Sequence, residues 1–166
     1  MLVFGLLVFG VMMRLVVHPA NFTPVIALVL FGGVYLDKKY AMFFPIFLMM
    51  ATDIILGTHP IMLFTWGSLF LISAIGLWLR SKKNARNIVV SSAASAFAFF
   101  VITNFGVWLS GYYPLTLKGF ATCFTLAIPF FRMTLLSTIG YSIVFFGADE
   151  FLAKRIKQTR FAHVLL

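Results

Sequence analysis

Ten of the thirteen Lys and Arg residues of this 166-residue chain stand in three short clusters, and long apolar runs separate them. The clusters are Lys38-Lys39, Arg80 to Arg86, and Lys154 to Arg160. The chain is 62% hydrophobic and 10% charged, whereas a soluble domain is about half apolar and about a quarter charged. No water-soluble fold of this size hides so much apolar surface, so the bilayer is the expected solvent. A net charge of +9 in short basic clusters marks loops beside anionic lipid, not a nucleic-acid surface. Membrane lipid is therefore an expected partner, and nucleic acid is not. Cys123 is the single cysteine, which excludes an internal disulfide and a thiolate metal cluster. The first apolar run follows Met1 without a basic leader and ends in RLVVHPANF. It reads as a retained helix and not as a cleaved signal peptide.

The runs predict an all-α integral membrane six-helix bundle, one transmembrane domain over residues 1–166, with helices near 2–17, 22–36, 40–56, 61–79, 88–109 and 130–152. His18-Pro19-Ala20-Asn21, Asp37-Lys38-Lys39 and Gly57-Thr58-His59-Pro60 turn the chain. Asn21 or Thr23 followed by Pro24 is a helix start signal, with the polar residue as cap. The second segment reaches only about 20 Å, short for a span, so it must be tilted, extended by its flanks or sheltered inside the bundle. The interval Thr103–Arg132 breaks the apolar pattern with Asn104, Trp108, Tyr112 and Tyr113, and its part 117–128 reads as a short surface or re-entrant helix. Only Arg14, Lys118 and Arg132 lie off the basic face. By the positive-inside rule both termini are then cytoplasmic.

This topology places most of the unusual polar groups toward the outer side. Arg14 and Asp53 each fall about 20 Å above the cytoplasmic boundary. An ionised group at that depth is costly unless paired or wet, which predicts an Arg14–Asp53 ion pair or a watery pocket. Asn104 wants a partner, as helix glue or as a ligand contact. Trp108 and Tyr112 either stack on a ligand or form an interfacial aromatic belt. Trp66 lies about two turns below the rim and suits a pocket better than a belt. Arg132 either clamps an anionic group or snorkels to the headgroups. His18 and His59 share the outer face and are weak metal candidates, with no third ligand at a suggestive spacing. Small residues gather at Ser91–Ala98 and at Ser137, Thr138, Gly140 and Ser142, where they permit close helix contact inside the bundle or with another subunit. With four acids in all and no catalytic motif, the chain reads as a non-enzyme without a cofactor.

The run Arg14…His18-Pro19-Ala20-Asn21-Phe22-Thr23-Pro24-Val25, then Ala27-Leu28…Phe31-Gly32-Gly33, resembles the start of a bacterial family of small membrane proteins of unassigned function. That family is labelled putative transport proteins and is similar to the substrate-binding S components of energy-coupling factor (ECF) transporters. Asp53…Leu56-Gly57, Thr103-Asn104-Phe105…Trp108, Tyr113-Pro114-Leu115-Thr116…Gly119 and Pro129-Phe130-Phe131 fit the same pattern, so the resemblance covers nearly the whole chain. It implies an S-component-like fold, an outward pocket, and capture of a vitamin-like molecule or micronutrient. It also implies partners: a membrane T component and two cytoplasmic ATPases. The chain departs in helix one, where an Ala-x-x-x-Ala docking pattern is replaced by Gly5 and Gly10. The expected ligand contacts are Arg14, Asn21, Asp53, Trp66, Asn104, Trp108, Tyr112 and Arg132. The rival expectation is a structural or accessory subunit of a larger membrane complex.

Overall fold

The computed structural model describes residues 2–16 and 19–157. Six helices form among them: α1 (Leu2–Leu15), α2 (Val25–Tyr35), α3 (Lys38–Leu56), α4 (Met62–Arg80), α5 (Ala85–Leu109) and α6 (Leu117–Lys157). The helices α3 to α6 are long and apolar enough to cross a membrane. The bundle turns large apolar side chains outward, with Ile54 and Leu63 each 81% exposed and Phe47 57%. That is the inverse of a water-soluble bundle and what a lipid solvent favours. The turn at 36–37, the loop at 81–84 and the tail of α6 lie together. Tyr35 donates to Asp149, and Lys83 Nζ lies 2.8 Å from the Tyr35 hydroxyl and 3.7 Å from the Asp149 carboxylate. We call this the basic end.

The short second helix is sheltered. Nine of the eleven residues of α2 are buried, and α3, α4, α5 and α6 all pack on it, as does α1. Two devices fix it. Gly33 meets α4 at Gly76, where an added Cβ would lie 2.7 Å from the Gly76 Cα. Such close approach is what small residues permit in apolar bundles. At its C-terminal end, Arg80 of α4 donates to the carbonyl of Gly33 at 2.9 Å and also to that of Leu36. A cation on the last carbonyls satisfies acceptors that the helix leaves open.

A substitution tests this packing. Gly76→Ala would put its Cβ 2.6 Å from the Leu30 carbonyl oxygen, and backbone cannot yield as a flexible side chain does. The expected loss is about 1–3 kcal/mol, the usual cost of overpacking. Gly140→Ala meets nothing within 4 Å and should leave the thermal unfolding midpoint in detergent unchanged or higher.

The expected outer helix 117–128 and the sixth helix are one element. α6 runs 41 residues without a break through Pro129, about 60 Å at 1.5 Å per residue. Thr116 starts it, with its hydroxyl accepting from the Gly119 amide at 3.1 Å. The proline costs one backbone bond, but aromatic packing on α5 spans the site. Phe120 lies against Trp108, Phe124 against Phe100, and Phe131 against Phe97 and Phe100. Neighbouring helices commonly hold a membrane helix together across proline in this way. α5 also starts earlier than expected, at Ala85, because the Asn84 side chain accepts from the Asn87 amide at 2.8 Å and caps it.

The small residues of α5 and α6 mostly face inward. Ser91, Ser92, Ser95, Ala96, Ser137, Thr138 and Ser142 are buried. Gly10 of α1 packs against Leu48 and Leu28, whereas Gly5 borders open space.

Candidate functional site

Because α2 is short, it ends part-way up the bundle. Its C-terminal end is level with Arg80, so Val25 stands only about 16 Å from the basic end. α4, at 19 residues, continues for about 10 Å more. The segment 19–24 therefore sits inside the half of the bundle away from the basic end. Irregular backbone at such a depth is tolerated where protein buries it or where it lines a cavity. Here it lines one. A cavity of about 320 Å³ is bounded by Arg14, Asn21, Thr23, Thr65, Thr134 and Ser137, with an apolar wall that includes Ile26, Met49, Leu69 and Phe99. A second cavity of about 240 Å³ adjoins it through shared Asn21, Thr65, Phe99 and Thr134, and adds Thr103 and Asn104. The first is at the small end of the range for ligand pockets, about 300–1,000 Å³.

The lining is held from behind. Arg14 Nη1 lies 2.9 Å from Asp53 Oδ1, 3.1 Å from the Met49 sulfur, and also bonds the Thr52 hydroxyl. The other Asp53 oxygen accepts from the Trp66 indole N–H at 2.9 Å. The predicted ion pair is thus present, with Asp53 3% exposed and Arg14 18%. Asp53 stands about 22 Å along α3 from Lys38. Asp53 and Trp66 do not line either cavity; they orient Arg14, which does.

The expected cap of α2 is absent. Neither Asn21 nor Thr23 caps it; Pro24 occupies the cap position without a side-chain bond. Asn21 instead takes a left-handed backbone, φ 60°, a conformation Asn adopts more readily than most residues. Its carbonyl accepts from the Ser137 hydroxyl at 3.4 Å, which ties the turn to α6. Val25 and Ile26, the first residues of α2, line the cavity.

The other predicted contacts fall elsewhere. Asn104 lines the second cavity while donating to the Phe100 carbonyl at 2.8 Å. Trp108 donates to the Pro114 carbonyl at 3.1 Å and packs on Phe105 and Phe120, fastening the α5–α6 turn. Tyr112 is 69% exposed in that turn, and Arg132 is exposed on α6; neither borders the two cavities. His59 is half-buried in the α3–α4 turn, and His18 lies outside the described residues. Among the described residues no three His, Cys, Asp or Glu side chains converge as a metal site.

The hydroxyls of Thr65 and Thr134 were not singled out from sequence, nor was Thr52 behind Arg14, and Thr23 was read only as a cap. The depth argument that found Arg14 and Asp53 extends to them. Thr65 and Thr134 stand on α4 and α6 at the level where α2 stops, and both are buried.

A model of the family of unknown function DUF6580 matches residues 1–160. The chain belongs to that family. No curated protein and no solved structure matches it. Within this DUF6580 chain the match takes in all of α1 to α6, and with them every residue of the cavity.

Proposed function

We propose that this DUF6580 protein is a multi-pass membrane receptor that captures a small solute for uptake, in the manner of an ECF S component. The observation that carries this reading is the polar cavity in a lipid-solvated bundle. Hydroxyl, amide and guanidinium groups converge where α2 stops short. By the positive-inside rule the basic end faces the cytoplasm, so the cavity opens toward the outer half. Broken or short helices that end near mid-depth are how membrane carriers build binding sites. The solute would be vitamin-like in size, and energy would come from ATPases reached through a T component. The inward-facing serines of α5 and α6 favour this reading over a purely structural subunit, since they are spent on internal packing.

The test is to purify the full chain in detergent, extract it with solvent and identify small molecules by mass spectrometry. The expected result is one non-lipid compound in near-equal amount to protein. Lipid alone, with no compound in a metabolite extract raising the unfolding temperature, contradicts it.

A further inference from the structure

We propose that the solute is a small organic carboxylate that also carries N–H or O–H donors. This rests on the reading of the cavity as a ligand site.

Beside the Asn21 amide and Thr23, the polar lining presents two groups of opposite chemistry, the Arg14 guanidinium and the hydroxyls of α4 and α6. Among the described residues, Arg14 is the single ionised side chain that borders the first cavity, and none borders the second. Its counter-ion is set apart: Asp53 is buried, its two oxygens are taken by Arg14 and Trp66, and it borders neither cavity. Asp53 thus holds the guanidinium in place without presenting negative charge to a ligand. The bonds to Asp53, Thr52 and Met49 all run through Nη1, whereas a guanidinium carries five N–H donors in a fork. That fork matches a carboxylate in two-pronged geometry. The start of α2 borders the same cavity without a side-chain cap, and its partial positive charge adds in the same direction.

The hydroxyls offer the opposite chemistry. Thr65 donates to the Ile61 carbonyl at 3.2 Å, and Thr134 to the Phe130 carbonyl at 3.0 Å. Ser137 has two carbonyls in reach, Thr134 at 3.0 Å and Asn21 at 3.4 Å. A carbonyl can only accept, so each hydroxyl hydrogen is committed to backbone, and what remains for a ligand is oxygen lone pairs. An anion placed against these oxygens would be repelled, while an N–H or O–H would be bound. A solute fitting both ends has its carboxylate at Arg14 and its donors at Thr65, Thr134 and Ser137. Leu69, Phe99 and Ile26 supply the apolar contact between.

The experiment starts from the compound recovered from wild-type protein and missing from Thr134→Phe protein purified in parallel. It is treated with a methylating reagent, and both forms are titrated against ligand-stripped full-length protein by thermal shift. The expected compound is an acid that gains a methyl ester, and the ester binds about tenfold or more weaker, the scale of a lost charge-assisted bond. Arg14→Lys, which keeps the charge toward Asp53 and loses the fork, should weaken the acid while leaving the ester nearly unchanged. A neutral or cationic compound, or an acid whose ester binds equally well, overturns the carboxylate assignment and leaves the receptor reading standing. Recovery of no compound, with nothing in a metabolite extract raising the unfolding temperature, overturns both.

Discussion

Asp53→Ala should destabilise the protein by about 3–5 kcal/mol, the cost of leaving one member of a buried ion pair alone. The loss has two parts. The Arg14 guanidinium would lose its counter-ion in a site where Arg14 is only 18% exposed, and the Trp66 N–H would lose its acceptor. The double replacement Arg14→Gln with Asp53→Asn removes both charges together and keeps an amide oxygen for Trp66. It should recover most of that stability, because burying neither charge avoids the desolvation cost. Unfolding in detergent, followed by tryptophan fluorescence or scanning calorimetry, measures both variants. Equal instability of the single and double variants would mean that α1 and α3 depend on these side chains for shape and not for charge balance. The double variant should also come out of purification without its solute, which separates the two roles of Arg14.

Filling the cavity should do the reverse, leaving the fold alone and removing the function. Thr134 is 6% exposed and borders both cavities. Its hydroxyl bonds only within its own helix, to the Phe130 carbonyl. Thr134→Phe should therefore keep the unfolding midpoint or raise stability by about 0.5–2 kcal/mol, as cavity-filling changes commonly do. The same ring would stand where the solute sits, so the bound compound should fall below detection. A Thr134→Phe protein that still carries the solute in full would move the site out of this part of the bundle.

Much of the bundle was legible because one strong rule governs it. With lipid as solvent, every apolar run between basic clusters has to be helical, and each of the six expected runs contains a helix. The depth of Arg14 and Asp53 followed from counting residues, and their pairing followed from the cost of an ion in lipid. What escaped was set by tertiary contacts. Pro129 reads as a stop, but Phe120, Phe124 and Phe131 pack α6 onto α5 on both sides of it. Asn21 reads as a cap, but the close tie from its carbonyl to Ser137 places it in a left-handed turn instead. Trp66 reads as a pocket residue, yet it borders neither cavity and its N–H is committed to Asp53. Trp108 and Tyr112 carry the aromatic character of a pocket, but the length of α5 and α6 lifts them above it. The threonines were overlooked because a hydroxyl in an apolar helix can satisfy itself on the preceding turn, as Thr65 and Thr134 do. Their oxygens become informative only when α4 and α6 bring them to one gap.

In the proposed reading the gap above α2 opens to the outside while the basic end faces the cytoplasm. Thiol labelling in intact cells tests it most directly. With Cys123 replaced by Ser, a single cysteine is placed at Thr65 in the cavity or at Asn84 in the basic loop, and cells are treated with a membrane-impermeant maleimide. The expected result is labelling at position 65, reduced when the recovered solute is added, and labelling at position 84 only after the cells are broken open. Labelling at 84 in intact cells, with 65 silent until lysis, would contradict it.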